Sequence, residues 1–565
     1  MIDTEPRLLE ARRGFSLSYL GKTLLSVFDP VEQAERVVRT AGRLGKTLYF
    51  CPSPVFGYGL ESLLRRMSDD SAILCVERDE RLMAASLEHF PASLVDSRRC
   101  AFVRSDDPAA LCAFARSRWG SRAFRRVEVL RLSGGWTLAE REYEAIVKAL
   151  RADMAVHWAN AMTLVRLGRR YALNAARNLA LLPSAASLDG PASGARPILV
   201  LGAGPSMDAV ADRIERSAYR QPDARPFRLL CVDTALSALL ARSIRPDLVV
   251  ALEAQHWNLR DFVGASRAEV PLAMDLSAHP GTATAGLGSI ALFSTRWAPL
   301  RFLDRLEEAA LLPSEIPPLG SVGLTAVAVA LRLTSGPVVV AGLDFAYGMD
   351  AYHARSTPSR DERLRRATRL TSLIDPAPAF RPHVVAAPAK DGGLARSDPV
   401  LRGYRDLFAR EFAATDRVVD AGGRGLELGV PRLGLDAAFA LLAGGEGADA
   451  ASAAGRDGKG RAGHDGRADA AERAAAALAF IDAELGRLAR IRSALSGAEE
   501  VARAELDRLL DECDYLWAHF PECAGADGQR PRIEDLSFLK RVRAEIEPFA
   551  KAFTLARGAL ADARR

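Results

Sequence analysis

The chain has 565 residues, 49% of them hydrophobic and 26% charged, which is typical of a globular protein too long for one hydrophobic core. Its net charge of +5 is small and its acids are interleaved with its arginines, which argues against nucleic-acid binding. The seven cysteines form no CxxC pair, no secretory segment opens the chain, and no run of about 18 apolar residues exists. We therefore expect buried free thiols, no membrane span and a cytoplasmic protein.

The first half of the chain begins with a strand and helix alternation. Short apolar runs such as KTLYFCPS, SAILCVE and RRVEVLRLS are separated by amphipathic stretches, which predicts a Rossmann-like domain over residues 1–150. Residues 137–182 then have a helical period, and a loop rich in Ser, Gly, Ala and Pro follows, so we expect a helical connector and linker over 151–197.

The alternation restarts at ILVLG and continues through FRLLCVD, DLVVALE, PLAMDL, SIALFS and PVVVAGLD. This pattern predicts a second, larger domain over residues 198–440. Residues 441–470 have almost no large apolar side chain and predict a flexible linker, and residues 471–565 predict a C-terminal helical domain. The predicted fold class is α/β, with two Rossmann-like doubly wound parallel sheets followed by helices.

The stretch ILVLGAGPSMD, residues 198–208, predicts a strand that ends in a glycine turn. Its spacing excludes the better-known glycine loops. A dinucleotide fingerprint needs a third glycine where Met207 stands, and a nucleophile elbow needs a glycine two residues after Ser206. Both GKT triplets lack the earlier glycine of a Walker loop. What remains is a helix start that holds a phosphate or carboxylate, or a tight turn that binds nothing.

Acids close or follow four of the predicted strands: Asp233, Glu253, Asp275 and Asp344. Because ligands gather at the carboxyl ends of parallel strands, these acids are candidates for ribose hydroxyls, magnesium or an incoming hydroxyl, or they cap helices. Another turn that starts a helix, GSVGLTAVAVALRL, offers donors at Ser321 and Gly323.

Tyr347 and His353 follow the last strand of this domain, where a general base or a phosphate donor would act. A lone histidine is more often structural. His256 and His279 also follow strands, so side-chain chemistry does not choose among the three.

These segments together resemble a known family. GAGPSMD, VDTALSALLARSIRPDLVVALE, GSVGLTAVAVALRL and AGLDFAYGMDAYHA resemble the central domain of bacterial motility accessory factors, which are flagellin glycosyltransferases. That domain is similar to archaeal 6-hydroxymethylpterin diphosphokinase, and its first motif and GLDF strand resemble bacterial sialyltransferases. Flanking segments, including RRYALNAARNL and KDGGLARSDPVLRGYRDLF, extend the resemblance over roughly residues 15–435.

The resemblance implies transfer of a nonulosonic, sialic-acid-like sugar from a CMP-sugar donor to Ser or Thr of flagellin or another acceptor protein. It places the nucleotide and its phosphate at Gly202, Gly204, Pro205, Ser206, Asp233 and Glu253, with Ser321 as a further donor. Asp344, Tyr347 and His353 would face the transfer site. The sequence departs from the family at Glu253, where Asp is usual, and over residues 355–383, where SRDERLRRATRL replaces a compact acceptor-side loop.

Two other functions stay open. A pterin diphosphokinase would use the same turn to move diphosphate from ATP and would need the acids for magnesium, whereas a non-catalytic scaffold would bind flagellin through the C-terminal helices. The N-terminal PVFGYGLESLL and Glu77 resemble a methyltransferase-type nucleotide fold in which the acid holds a ribose. Alternatively, this is a degenerate domain that serves in assembly or acceptor recognition.

Overall fold

The structure is a computed structural model that describes residues 5–42, 44–188, 194–285, 288–348, 352–372, 377–444, 465–497, 503–524 and 530–562. The chain divides into two compact units, residues 1–166 with 518–531 and residues 167–517 with 532–565. Within the described ranges, no helix combines the length and the apolar character that crossing a membrane requires. All seven cysteines are free and buried, as predicted.

The first unit contains an antiparallel and a parallel sheet. The antiparallel strands are β1 (Arg7–Glu10), β2 (Phe15–Tyr19) and β3 (Lys22–Thr23). The parallel strands are β4 (Thr47–Pro52), β5 (Ala72–Glu77), β6 (Cys100–Arg104) and β7 (Arg126–Val129), in the order β6-β5-β4-β7. Its helices are α1 (Pro30–Thr40), α2 (Leu60–Arg66), α3 (Glu80–Leu87), α4 (Ala92–Val95), α5 (Pro108–Trp119) and α6 (Glu140–Thr163).

The apolar runs of β4 and β5 are buried along their whole length because successive side chains enter two different cores. Leu48 and Phe50 pack in one core, whereas Tyr49 and Cys51 pack in the other. A strand covered on both faces has no polar side to expose, which explains why the sequence shows continuous apolar runs rather than alternation. The predicted Rossmann-like sheet is confirmed.

The second unit is built on an eight-stranded sheet in which every pair is parallel. Its strand order is β13-β12-β11-β10-β9-β8-β14-β17. β9 to β13 extend to one side of β8, and β14 and β17 to the other, so the sheet is doubly wound as predicted. The strands, with the separate hairpin β15-β16, are β8 (Ile198–Leu201), β9 (Arg228–Val232), β10 (Leu248–Ala251), β11 (Leu272–Asp275), β12 (Ile290–Ser294), β13 (Ser314–Glu315), β14 (Val338–Ala341), β15 (Val385–Pro388), β16 (Leu394–Ser397) and β17 (Val418–Asp420).

The described residues of this unit contain eleven α-helices. They are α7 (Arg169–Asn178), α8 (Met207–Glu215), α9 (Asp233–Leu240), α10 (Arg301–Glu308), α11 (Val322–Leu333), α12 (Pro358–Arg366), α13 (Pro399–Phe412), α14 (Leu435–Ala443), α15 (Asp465–Ser496), α16 (Arg503–Glu512) and α17 (Leu536–Asp562).

The C-terminal helices pack in the same unit as the sheet. The Phe302 ring of α10 lies 5.3 Å from that of Tyr515 and 6.2 Å from that of Phe553, and Arg305 pairs with the buried Glu484 at 2.6 Å. The predicted helical character of this region is confirmed, and the domain boundaries stay predictions. Residues 445–464, most of the predicted linker, lie outside the described residues.

Two asparagines of α7 hold the loops at the carboxyl edge of the sheet. Asn174 Nδ2 donates to the carbonyls of Ala254 and Ser277, both at 3.0 Å. Asn178 Nδ2 donates at 2.8 Å to two carbonyls flanking Ser277. Because each amide satisfies two buried carbonyls, the loops after β10 and β11 have a fixed position.

Candidate functional site

The strand order reverses between β8 and β14, which is where open parallel sheets bind ligands. The backbones meet closely there: Gly204 N–H donates to the Gly342 carbonyl at 2.8 Å. A Cβ on Gly202 would lie 2.4 Å from that same oxygen, and Gly342 itself has a φ of +74°. The glycines of the GAGPS turn and of AGLDF are therefore required by this contact between two strands.

Asp344 occupies the N-terminus of α8. Its Oδ2 accepts a hydrogen bond from the Ser206 N–H at 2.9 Å, and its Oδ1 contacts the Ser206 hydroxyl. The Ser206 Oγ in turn accepts from the Gly342 N–H at 2.9 Å. Burial raises the pKa of Asp344, although both bonds from Ser206 lower it. A carboxylate of the protein thus takes the position that the sequence predicted for a phosphate.

This arrangement leaves few donors on the GAGPS turn. The N–H groups of Gly202, Gly204 and Ser206 all donate within the protein, and Pro205 has none. Among the described residues the Ala203 N–H has no acceptor, and the Ala203 carbonyl accepts from Ala354 at 2.9 Å. Contacts between a phosphate and Gly202, Gly204, Pro205 and Ser206 remain a prediction.

A buried ion pair that sequence reasoning missed lies beside this turn. Lys390 Nζ is 2.7 Å from Asp420 Oδ2, and both side chains are almost fully buried. The other Asp420 oxygen accepts from the Gly422 N–H at 2.8 Å. The charge of Lys390 lowers the pKa of Asp344, and the charge of Asp420 raises it, so the three groups are electrostatic neighbours. The one available signal was a lysine directly after the apolar run VVAAPA.

The N-terminus of α11 is open, in contrast to that of α8. Ser321 precedes the helix, but its side chain makes no capping bond. The N–H groups of Val322, Gly323 and Leu324 have no acceptor among the described residues, and Gly323 and Leu324 are buried. Helix N-termini carry partial positive charge, and buried N–H groups normally find partners. This end of α11 can therefore accept an anion.

The two helix starts are neighbours at the same edge of the sheet. A Cβ on either Gly202 or Gly323 would lie 2.6 Å from Leu343 Cδ2. The Leu343 side chain therefore packs against both glycines. The structure therefore brings the predicted residue Ser321 close to the GAGPS turn.

Asp233 begins α9 at the end of β9, and a second acid that the sequence did not indicate lies near it. Asn258 Nδ2 donates to Asp233 Oδ2 at 3.0 Å, and Thr234 donates to both Asp233 and Asp261 through its hydroxyl. Burial, and then the charge of Asp261, raise the pKa of Asp233 to about 7. Burial also raises the pKa of Asp261. Asp233 is almost fully buried, and both its oxygens accept bonds within the protein, because Oδ1 also accepts from the Thr234 N–H at 2.8 Å. Nucleotide binding by Asp233 remains a prediction.

The carboxylates of two other strand-end acids accept different numbers of hydrogen bonds from the protein. Asp275 accepts from Ser277 and, at 2.7 and 2.8 Å, from Thr295, so its carboxylate is fully used within the fold. Glu253 accepts one described bond, from the Gln255 N–H at 2.9 Å, and is half-buried. Its charge contributes to raised pKa values of Tyr171 and Tyr404, which therefore lie near it.

His353 and Tyr347 follow β14 as predicted. His353 Nδ1 lies 3.0 Å from Ser359 Oγ, and burial together with the positive charge of Arg260 lowers the pKa of the imidazole. The neutral form of His353, which acts as a base, is therefore favoured. Tyr347 donates to Asp398 at 2.7 Å, and burial and that bond raise its pKa to about 12. Tyr347 is thus a hydrogen-bond donor rather than a base.

The other histidines have less suitable surroundings. His279 Nδ1 accepts from the Gly281 N–H at 3.1 Å in a turn, and His256 is exposed, with its ring 4.2 Å from that of Trp257. Among the described residues, no three His, Cys, Asp or Glu side chains gather as a metal site would require. Magnesium binding remains a prediction.

In the first unit, Glu77 is almost completely buried and bonded within the protein. Ser53 donates to it at 2.6 Å, Tyr143 at 3.3 Å, and the N–H groups of Arg78 and Asp79 at 2.8 and 3.1 Å. These bonds occupy both carboxylate oxygens, so the geometry favours a structural role for Glu77 over ribose binding.

Comparisons with known proteins agree with this architecture. Residues 169–350 match the family model described as 6-hydroxymethylpterin diphosphokinase MptE-like. An uncharacterized protein of Treponema pallidum (strain Nichols) is 29% identical over 97% of this chain and 94% of its own length. The structure of the MAf glycosyltransferase from Magnetospirillum magneticum AMB-1 superposes with a TM-score of 0.54 at 13% identity, covering 99% of this chain and 90% of that one. The chain therefore contains an MptE-like domain and shares the fold of a motility accessory factor glycosyltransferase.

Proposed function

We propose that this chain is a glycosyltransferase that moves a nonulosonic sugar from a CMP-sugar to a Ser or Thr hydroxyl of flagellin or a similar protein. The observation that carries the proposal is the open N-terminus of α11, which lies beside the GAGPS turn with three N–H groups that have no acceptor among the described residues. The fold shared with the MAf glycosyltransferase supports it.

The donor phosphate would bind at Ser321 and the first turn of α11. When the bond between sugar and phosphate breaks, the leaving CMP gains negative charge and the glycosyl carbon gains positive charge. The N–H dipoles of the first turn of α11 would already point at the phosphate, so they would stabilise the negative charge of the leaving CMP without reorganising. Glu253 follows the neighbouring strand β10 and is half-buried, so it would bind the hydroxyl or amino groups of the nucleoside. Asp233 would join it only by exchanging a bond that it accepts within the protein.

The acceptor hydroxyl would lose its proton to His353. This imidazole is the more suitable base because its lowered pKa keeps it neutral, whereas both oxygens of Asp344 contact Ser206. We therefore assign Asp344 to positioning the GAGPS turn, and Tyr347 to holding the acceptor-side loop through Asp398.

A diphosphokinase that uses ATP is the alternative, and the family model that matches residues 169–350 favours it. Its magnesium would be held by one or two carboxylates together with the phosphates of ATP. The two functions differ in the nucleotide that each one binds.

Calorimetry with CMP, and with ATP plus magnesium, separates these functions. We expect CMP to bind, and the Ser321→Asp variant to bind it at least about tenfold more weakly, because the new carboxylate would occupy the end of α11. The matched control is Gly434→Asp, which places the same group at the start of α14, outside the site. Preference for ATP with magnesium would refute the CMP assignment.

Transfer itself is tested by mass spectrometry of a cognate flagellin incubated with CMP-nonulosonic acids. A mass increase equal to one sugar residue supports the proposal. Binding of flagellin without any mass increase, with donors that a related enzyme uses, would favour a non-catalytic scaffold.

A further inference from the structure

Residues 358–370, which we call the basic rim, comprise α12 and the four residues after it. We propose that the basic rim is the docking surface for an acidic polypeptide, the acceptor of the transfer. This inference rests on the proposed function, because it assigns a partner to the same site.

The charge of the basic rim is unusual for this chain. Its 13 residues hold five arginines and two acids, a net charge of +3, whereas all 565 residues together carry +5. Arg366 pairs with Glu362 within the helix at 2.5 Å. Arg365 and Arg369 are exposed and form no ion pair or hydrogen bond with the described residues. They are therefore available to carboxylates of a partner.

Two large apolar side chains stand among these arginines. Leu364 is 58% exposed and Leu370 is 91% exposed. No residue of α12 is buried. Helices of globular proteins are normally stabilised by burying an apolar face, and α12 buries none within its own chain. Exposed leucines between cations match a partner that carries both apolar and acidic side chains.

The basic rim is attached directly to the proposed base. The Ser359 hydroxyl contacts His353 Nδ1 at 3.0 Å, and the Arg360 guanidinium donates to the His353 carbonyl at 3.3 Å. Farther along the helix, Glu362 lies 3.8 Å from Arg260, the cation that lowers the pKa of His353. A polypeptide bound on α12 would therefore pass beside the imidazole that accepts the hydroxyl proton.

The composition of the basic rim favours a polypeptide over other polyanions. Residues 358–370 contain no aromatic side chain, although proteins that bind single-stranded RNA stack bases on aromatic rings. A helix that lies on a membrane needs a broad apolar face, whereas α12 carries one large apolar side chain, Leu364. RNA would also leave both leucines without an apolar partner. An acidic polypeptide satisfies the arginines and the leucines together.

The test measures fluorescence anisotropy of a labelled peptide containing four Glu, three Leu and one Ser, with the full-length protein at low salt. We expect binding that weakens at least about tenfold in Arg365→Glu/Arg369→Glu and in Leu364→Ser/Leu370→Ser. The control Arg216→Glu/Arg543→Glu changes two exposed arginines outside the basic rim by the same charge and should bind normally. A peptide with Lys in place of Glu should not bind.

Equal peptide binding by the wild type and both basic-rim variants would overturn the proposal. So would wild-type protein that binds phosphatidylglycerol vesicles or poly(U) more tightly than the acidic peptide. CMP binding, measured separately, should be unchanged in the basic-rim variants. CMP binding tests the proposed function, and peptide binding tests the docking surface. Failure of one proposal is therefore distinguishable from failure of the other.

Discussion

The Asp344 carboxylate and the Ser206 main chain are joined across the switch point, with the Ser206 N–H 2.9 Å from Asp344 Oδ2. This bond connects the turn after β8 to the segment after β14. It places a carboxyl group of the protein at the start of α8, with both of its oxygens in contact with Ser206. An incoming phosphate would find this position already occupied, which is why we assign the phosphate to the start of α11.

Replacing Ser206 by Ala should destabilise the fold. The Ser206 hydroxyl contacts Asp344 and accepts from the Gly342 N–H, so its loss leaves a buried donor without a partner. We expect the free energy of unfolding, measured with urea, to fall by about 1–3 kcal/mol. The control Ser217→Ala, at the other end of α8, removes a hydroxyl that donates to the Ile214 carbonyl and accepts from the Tyr219 N–H. It should change stability less, because Ser217 is half-buried and water can replace these bonds. Equal effects of the two variants would contradict the assigned role of Ser206.

Replacing Lys390 by Met should leave the Asp420 charge buried and uncompensated. We expect a loss of about 3–5 kcal/mol in the free energy of unfolding at neutral pH. The double variant Lys390→Met/Asp420→Asn removes both charges but keeps an acceptor for the Gly422 N–H, so it should recover most of that loss. No recovery in chemical denaturation would mean that the methylene packing of Lys390, rather than its charge, supports the turn.

The acid pair predicts a pH dependence of stability. The pKa of Asp233 is raised in the folded state to about 7, above its unfolded value of about 3.8. Its contribution to stability is therefore fully present below pH 3.8 and is lost as the pH rises through 7. Asp261→Asn removes the charge that helps to raise this pKa, so the variant should lose less stability than the wild type between pH 4.5 and 7.5. Parallel curves of unfolding free energy against pH would contradict the coupling.

The lowered pKa of His353 predicts where the transfer rate falls at acidic pH. Burial and Arg260 both disfavour the imidazolium. In a plot of transfer rate against pH, the fall on the acidic side should therefore lie below the ordinary histidine pKa of about 6.5. Arg260→Gln removes one of these two effects and should move this fall to higher pH. Arg267→Gln, at an exposed position nearby in sequence, serves as the control. His353→Ala should lower the rate by about a hundredfold or more.

A pH–rate profile of sugar transfer by these variants tests the assignment. An NMR titration of the His353 imidazole in wild type and Arg260→Gln gives the same pKa change without a substrate. A profile that shifts while the imidazole titration does not would assign the base to another group.

The sheets could be predicted from the sequence because buried parallel strands are locally encoded. ILVL, LVVA and VVVA are continuous apolar runs that only a sheet covered on both faces can bury, and ILVL and VVVA run into glycines at the switch point. The strand-end position of Asp233, Glu253 and Asp344 followed from the same pattern. That inference needs only the rule that carboxyl ends of parallel strands share an edge.

The role of each side chain at that edge depends on partners far away along the chain. Ser206 and Asp344 are 138 residues apart, and Lys390 and Asp420 are on different elements, so no local pattern indicates that they meet. The sequence by itself determined the fold class, the glycine turn and the acids at the sheet edge. Only the tertiary structure decided that α8 holds an internal carboxylate while α11 remains open, because a hydrogen bond forms between neighbours in space rather than in sequence.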